Sequence, residues 1–324
     1  MADERLTAAS STALAPEVSI VIPTRDRANC IVMAVLAALG QRGVDLEVVV
    51  VDDGSRDGTQ AALAGVADSR LIVVRNEAPQ GVSAARNRGI ERARGRWVAF
   101  LDDDDLWSPD TLRLQLDAAT REKAVFAYCD SVALDERLNI IGSITPPDGD
   151  GIGRALQRWN FIGGPSVVVA DARTVRRLGG FDEALSVLAD WDLWIRLADA
   201  GRAAHCSSML VGYVVHAGGM FTQQPAVATA DVRELTAKHR ARGARLGLEP
   251  DVGRMLVAMA YGHARAGRRA RAAGTAVRAA VPARSPRYAA LGHGLLVGHR
   301  TALALRRRLS GTVVPPAPPW LSGA

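Results

Sequence analysis

Four consecutive carboxylates, Asp102-Asp103-Asp104-Asp105, stand directly after the apolar run RWVAFL. Held together at the end of a buried segment, they repel one another unless a cation neutralises them, and an all-oxygen donor set suits Mg2+ or Mn2+. Such ions keep waters and share one or two carboxylates with substrate phosphates, so a diphosphate is expected to supply the missing ligands. A solvated acidic turn before a helix starting near Pro109 would account for one or two of these acids through N-cap and helix-dipole preference, but not for four.

Two further polar clusters follow apolar runs in the same way. Pro23-Thr24-Arg25-Asp26 comes after VSIVI, and the segment from Asp52 and Asp53 to Thr59 comes after LEVVVV. The segment from Gly81 to Gly89 adds small residues around a central Arg86-Asn87 at a helix start. Small side chains there let a ligand approach the backbone, and the cations offset phosphate charge, although tight packing on a sheet asks for the same residues.

The elements that must position these groups are legible as a pattern. LEVVVVD, RLIVV and RWVAFL are β-rich runs with too little polar alternation for a sheet wetted on one face, so they read as central strands. Between them lie segments of helical spacing, Ile31 to Leu39 closed by Gly40 and Val82 to Arg94 closed by Gly95. The result is β-α-β-α-β-α-β, an α/β, doubly wound, mostly parallel central sheet flanked by helices, in which ligands bind beyond the carboxyl ends of the strands.

From about Ala124 the pattern loosens into a hairpin, a Pro/Gly stretch and a helix around Arg154 to Trp159. We divide the chain into a flexible N-terminus (1–16), a catalytic α/β domain (17–225) and a basic helical C-terminal extension (226–324), an accessory element without its own core. Residues 231–324 carry 17 Lys and Arg against 4 Asp and Glu, whereas the preceding chain is net acidic. Periodic apolar residues among the arginines, with Arg306-Arg307-Arg308 near the end, suit a helix lying on an anionic membrane surface, and equally a solvated helical face. Nucleic acid is not an expected partner. Cys30, Cys129 and Cys206 are far apart and show neither disulfide nor zinc spacing. With acids in the first few residues, no apolar signal region and no run of 18 uncharged apolar residues, the expectation is cytoplasmic residence, with peripheral contact at the inner face of the membrane.

PTRDR, DDGSRDGT, GVSAARNRG and FLDDDD, in this order, resemble the family 2 glycosyltransferases of GT-A fold, over about Glu17 to His216. The resemblance implies an inverting transfer of a sugar from a nucleotide diphosphate, UDP favoured, to a saccharide, lipid-linked or small-molecule acceptor, with Mn2+ or Mg2+ as cofactor. It implies that Asp53 reads the base and ribose, with Pro23, Thr24, Arg25 and Arg86 bordering the nucleotide. The family's DxD motif falls on Asp102-Asp103-Asp104, the first acids on the nucleotide side and Asp104 or its neighbour Asp105 on the metal. GGFDE (179–183) and LADWDLWIRL (188–197) resemble the acceptor-side helix that carries the catalytic base in a Glu-Asp pair. Here Ala189 replaces the Glu, and the base role falls to Asp190, with Trp191 and Asp192 beside it on the acceptor side and Trp194 in the core. An Asp at that point is also expected as the N-cap of a helix running from Trp191 to Ala200. His216 resembles the family's histidine that reaches the metal or diphosphate.

Other readings fare worse. A dinucleotide oxidoreductase lacks its GxGxxG after the first strand, and a nucleotidyltransferase lacks the Gly-rich basic loop that PTRDR would have to be. A non-catalytic nucleotide-sugar-binding or assembly protein of a membrane glycan complex is the competitor from another class, with Ala189 its best argument.

Overall fold

The computed structural model describes residues 15–215, 225–265, 267–280, 295 and 315–323. Its front half alternates strand and helix as the pattern requires. β1 (Val18–Thr24), α1 (Ile31–Leu39), β2 (Leu46–Asp52), α2 (Thr59–Ala64), β3 (Leu71–Arg75), α3 (Val82–Arg92) and β4 (Trp97–Phe100) follow in order. β1 pairs in parallel with both β2 and β4, and β2 with β3. Every residue of β1 and β2 is buried, as strands covered on both faces must be. Val48 and Val50 face the main core with α1, while Val49 and Val51 face Ala85 of α3 on the other side. α3 comes so close to β1 that a Cβ on Gly89 would overlap the Val21 side chain.

Beyond β4 the sheet becomes mixed. β5 (Leu106–Trp107), α4 (Thr111–Glu122), β6 (Phe126–Leu134), β7 (Ile140–Ile144), α5 (Gly149–Leu156), a 3-10 turn (Pro165–Val167), β8 (Val168–Asp171), α6 (Ala172–Arg177), α7 (Ala189–Ala200) and β9 (Ala203–Val214) complete it. The strand order is β3-β2-β1-β4-β8-β6-β9-β5, with β7 on β6 as the expected hairpin. β8 runs antiparallel between β4 and β6.

Two local expectations shift. The helix expected around Arg154 to Trp159 lies earlier, at Gly149–Leu156, because the chain turns there to bring Trp159 against Trp191, ring centroids 6.0 Å apart. The helix expected from Trp191 begins at Ala189 after Leu188, so Asp190 sits inside its first turn and is not the N-cap.

Among the described residues the helices α8 (Pro225–Lys238), α9 (Arg240–Leu246), α10 (Val252–Arg265) and α11 (Arg269–Ala280) follow. Leu235 of α8 and Met255 of α10 belong to the main core. α10 and α11 share a small cluster of their own, Ala260, Tyr261, Ala264, Ala272 and Ala276 with Leu295. Arg306-Arg307-Arg308 lie outside the described residues. Among the described residues no helix is long and apolar enough to cross a membrane.

Candidate active site

The carboxyl ends of β1, β2 and β4 meet at one rim, and hydrogen bonds between their loops fix it. Thr24 Oγ1 donates to Asp103 Oδ2 at 2.6 Å, the Asp53 N–H donates to the Thr24 carbonyl at 2.8 Å, and the Asp26 N–H donates to Ser55 Oγ at 2.9 Å. Pro23 lies within β1, and Arg25 is half-exposed beside Asp26. Asp52 is fully buried, receiving Arg75 and the Ser55 N–H at 2.8 Å each. Asp53 accepts from Asn76 at 2.7 Å, from the Gln80 N–H at 2.8 Å and from the Gly81 N–H at 2.9 Å. It thus holds the loop between β3 and α3 against β2, and any base it meets is met by a carboxylate already oriented by three donors.

The acid run is not four equivalent ligands, since its members alternate between the cleft and the interior. Asp102 and Asp104 keep side-chain exposures of 25% and 23%, whereas Asp103 and Asp105 are buried. Asp105 Oδ2 accepts from the Ser166 hydroxyl at 2.6 Å and Oδ1 from the Val214 N–H at 3.0 Å. Burial, reinforced by Asp102 and Asp104, pushes its carboxyl well above the usual range. Its two oxygens tie β9 and the 3-10 turn to the rim, so of the two acids expected at the metal Asp104 is the more open. Asp103 is pushed up to about 7 by desolvation, against the Thr24 hydrogen bond, so it too is a structural member of the run.

Two arginines balance the exposed pair. Arg27, which the motif reading passed over, stands 3.6 Å from both Asp103 and Asp104. Arg86 reaches from α3, buried, to Asp102 at 2.6 Å, and its guanidinium lies 5.2 Å over the Phe181 ring. Its Nε is buried without a hydrogen-bond partner among the described residues.

Asp190 feels the fields of both Arg86 and Asp102. Its Oδ1 accepts from the Trp191 N–H at 2.7 Å and its Oδ2 from Asn160 Nδ2 at 3.3 Å. Desolvation pushes its carboxyl up to about 7; the Trp191 N–H and the field of Arg86 act downward, that of Asp102 upward. A carboxylate so tuned suits a general base near neutral pH.

Its helix neighbours do different work, and their acceptor-side placement is corrected. Trp191 is buried in the core with its indole N–H on the Leu156 carbonyl at 2.6 Å, and Trp194 is fully buried as expected. Asp192 is fully buried and clamped by Arg196 at 2.6 Å, His239 at 2.8 Å and Lys238 at 3.0 Å. Burial alone would raise its carboxyl, but these donors outweigh it and bring it down to about 2. Asp231 of α8 accepts from the N–H groups of Val187 and Leu188, at 2.6 and 3.1 Å. The extension therefore holds the first turn of the helix that carries Asp190. No motif marks Asn160, Ser166, Asp231 or His239, because each acts through a long-range contact.

Among the described residues no group of three or more His, Cys, Asp or Glu side chains converges as a metal site. His216, expected near the metal, lies outside the described residues. Two partly open carboxylates, Asp102 and Asp104, nonetheless fit a hard divalent cation that takes the rest of its shell from phosphates and water.

A mixed α/β sheet with acids, an arginine and a tuned carboxylate at the strand ends is the architecture of the GT-A fold. Residues 19–161, a little under half of the chain, match the glycosyl transferase family 2 model. The chain is 44% identical over 124 residues to the succinoglycan biosynthesis protein ExoO of Rhizobium meliloti, covering 38% of this chain and 36% of that one. It is 29% identical over 206 residues to the UDP-Glc:alpha-D-GlcNAc-diphosphoundecaprenol beta-1,3-glucosyltransferase WfaP of Escherichia coli, covering 63% and 79%. The chain thus spans little more than a third of the first relative's length. Among solved structures, mannosyltransferase PcManGT from Pyrobaculum calidifontis, in complex with GDP-Man and Mn2+, superposes with a TM-score of 0.55 at 23% identity, covering 92% and 88%. S. aureus TarS 1-349 in complex with UDP-GlcNAc does so with a TM-score of 0.55 at 14% identity, covering 92% and 93%.

Proposed function

We propose that the protein is an inverting glycosyltransferase that moves a sugar from a nucleotide diphosphate to an acceptor hydroxyl, with Asp190 as the base. The observation that carries this reading is the convergence of Asp190, with its carboxyl near 7, on the Arg86–Asp102 pair. Asp190 removes the acceptor proton as the acceptor oxygen bonds to the anomeric carbon, from the side opposite the diphosphate. The bond to the diphosphate breaks, and Arg86 meets the charge that develops on the leaving group. When bound at Asp104 and Asp102, Mg2+ or Mn2+ supplies further stabilisation of that charge. Thr24, Arg25 and Asp53 border the nucleotide. His216 is kept as a candidate for the diphosphate side.

The relatives point to a glycan built on a lipid carrier, since WfaP's name specifies a diphosphoundecaprenol-linked acceptor and UDP-Glc. We therefore favour a UDP-sugar donor, a polysaccharide or glycolipid acceptor, and attachment of the basic extension (226–324) to the anionic inner face of the membrane. The binding-only reading is disfavoured by relatives named as transferases.

Thermal stabilisation by nucleotide diphosphates, with and without Mn2+, tests the donor site, because a ligand of the folded state raises apparent stability. A metal-dependent shift with UDP or GDP is expected; no shift with any nucleotide sinks the reading. Failure to bind anionic vesicles at low salt sinks the membrane role alone.

A further inference from the structure

Between α5 and the 3-10 turn, the chain makes a tight loop closed by one side chain. Asn160 Oδ1 accepts from the Gly163 N–H at 3.1 Å, and its Nδ2 donates to the Gly163 carbonyl at 3.0 Å. Gly163 adopts φ +89, a conformation open to glycine, and its carbonyl also receives the Trp194 indole at 3.4 Å. Because the Gly163 N–H requires an acceptor, the amide orientation of Asn160 is fixed, and its NH2 must face the other way. There it meets Asp190 Oδ2 at 3.3 Å.

We propose that Asn160 is the positioning residue of the base, holding the Asp190 carboxylate in its plane through an amide N–H that Ala189 on the same helix cannot supply. This rests on the assignment of Asp190 as base. One carboxylate oxygen is held by the Trp191 N–H and the other by Asn160, so the group is oriented from both sides. Locking the loop needs only the paired bonds to Gly163; the bond to Asp190 is additional. The charged groups facing Asp190 are Arg86 from α3 and Asp102 after β4. Asn160 adds to them a donor without charge, which favours the ionised base at every pH.

The test uses the full chain labelled with 13C at aspartate carboxyls, the Asp190 resonance being the one missing from Asp190→Asn. Its titration is followed in Asn160→Ala and Asn160→Asp, alongside nucleotide release from UDP-glucose, UDP-GlcNAc and GDP-mannose across pH. Asn160→Ala is expected to move the Asp190 midpoint upward and to lower turnover about tenfold or more at neutral pH, with donor KM unchanged. Asn160→Asp keeps the acceptor for the Gly163 N–H, though not the donor to its carbonyl, and sets a second carboxylate beside Asp190; the Asp190 midpoint moves further up and the loss at neutral pH is greater. A role confined to the loop predicts lowered melting temperatures with an unmoved midpoint, and that result overturns the proposal. Transfer by Asp190→Asn at the wild-type rate sinks the base assignment and this inference together. An inactive Asp190→Asn beside unmoved midpoints in both Asn160 variants sinks the inference alone.

Discussion

Asp190 and Asp192 lie two residues apart on the first turn of one helix, yet their environments drive them in opposite directions. Asp190 is desolvated with few donors and held near 7, while Asp192 is buried among Arg196, His239 and Lys238 and held near 2. Along Asp102–Asp105 neighbours divide by access instead, alternate residues facing the cleft and the interior, and the interior pair, Asp103 and Asp105, is driven upward by burial. An acid left short of partners is available for chemistry, whereas a fully partnered one is spent on architecture.

The largest expected effect separates the two helix acids. Asp190→Asn should cost on the order of a thousandfold in turnover, leave donor binding intact and leave the melting temperature unchanged or raised, because it removes a poorly solvated carboxyl. Asp192→Asn should do the reverse, costing about 3 kcal/mol of stability by stranding its cations, with activity lost only as the fold loosens. Denaturant melts paired with nucleotide-release assays check both. A base role for Asp192 would invert the pattern.

pH sharpens the contrast. As the proposed base, Asp190 has to be ionised, so turnover should climb as pH rises through about 7. The stability that Asp192 contributes comes from a folded value depressed below its unfolded one. It is therefore complete above about 4 and lost as pH falls through about 2. Acid titration of Asp192→Asn should lack that component of the low-pH loss.

Within the acid run, Asp104→Asn should abolish any Mn2+-dependent stabilisation by nucleotide, whereas Asp105→Asn should keep the metal response and change mainly the melting temperature. Calorimetry on both variants decides which acid meets the cation. The smallest effect is expected from Lys238→Met, where a partly exposed cation leaves Asp192 still held by Arg196 and His239: about 1 kcal/mol or less.

The front of the fold was legible because buried parallel strands demand continuous apolar runs, and VSIVI and LEVVVVD have no other use. The rim was legible for a related reason, since polar residues directly after such runs fall at strand ends, as Thr24, Asp53 and Asp102 do. Trp191 was harder, because an aromatic beside a catalytic acid serves a pocket or a core equally well until its indole N–H is seen on the Leu156 carbonyl. Asn160 left no trace, being an ordinary polar residue in a loop thirty positions from its partner.

The sequence by itself determined the strand–helix alternation and the polar residue types that gather at the strand ends, because these depend on periodicity and composition over short stretches. Only the tertiary structure decided which of several adjacent acids keeps an open carboxylate. It also decided that the basic extension, through Asp231, Lys238 and His239, holds the helix that carries Asp190. Burial and hydrogen-bond satisfaction belong to contacts between segments distant in the chain, and no local pattern encodes them.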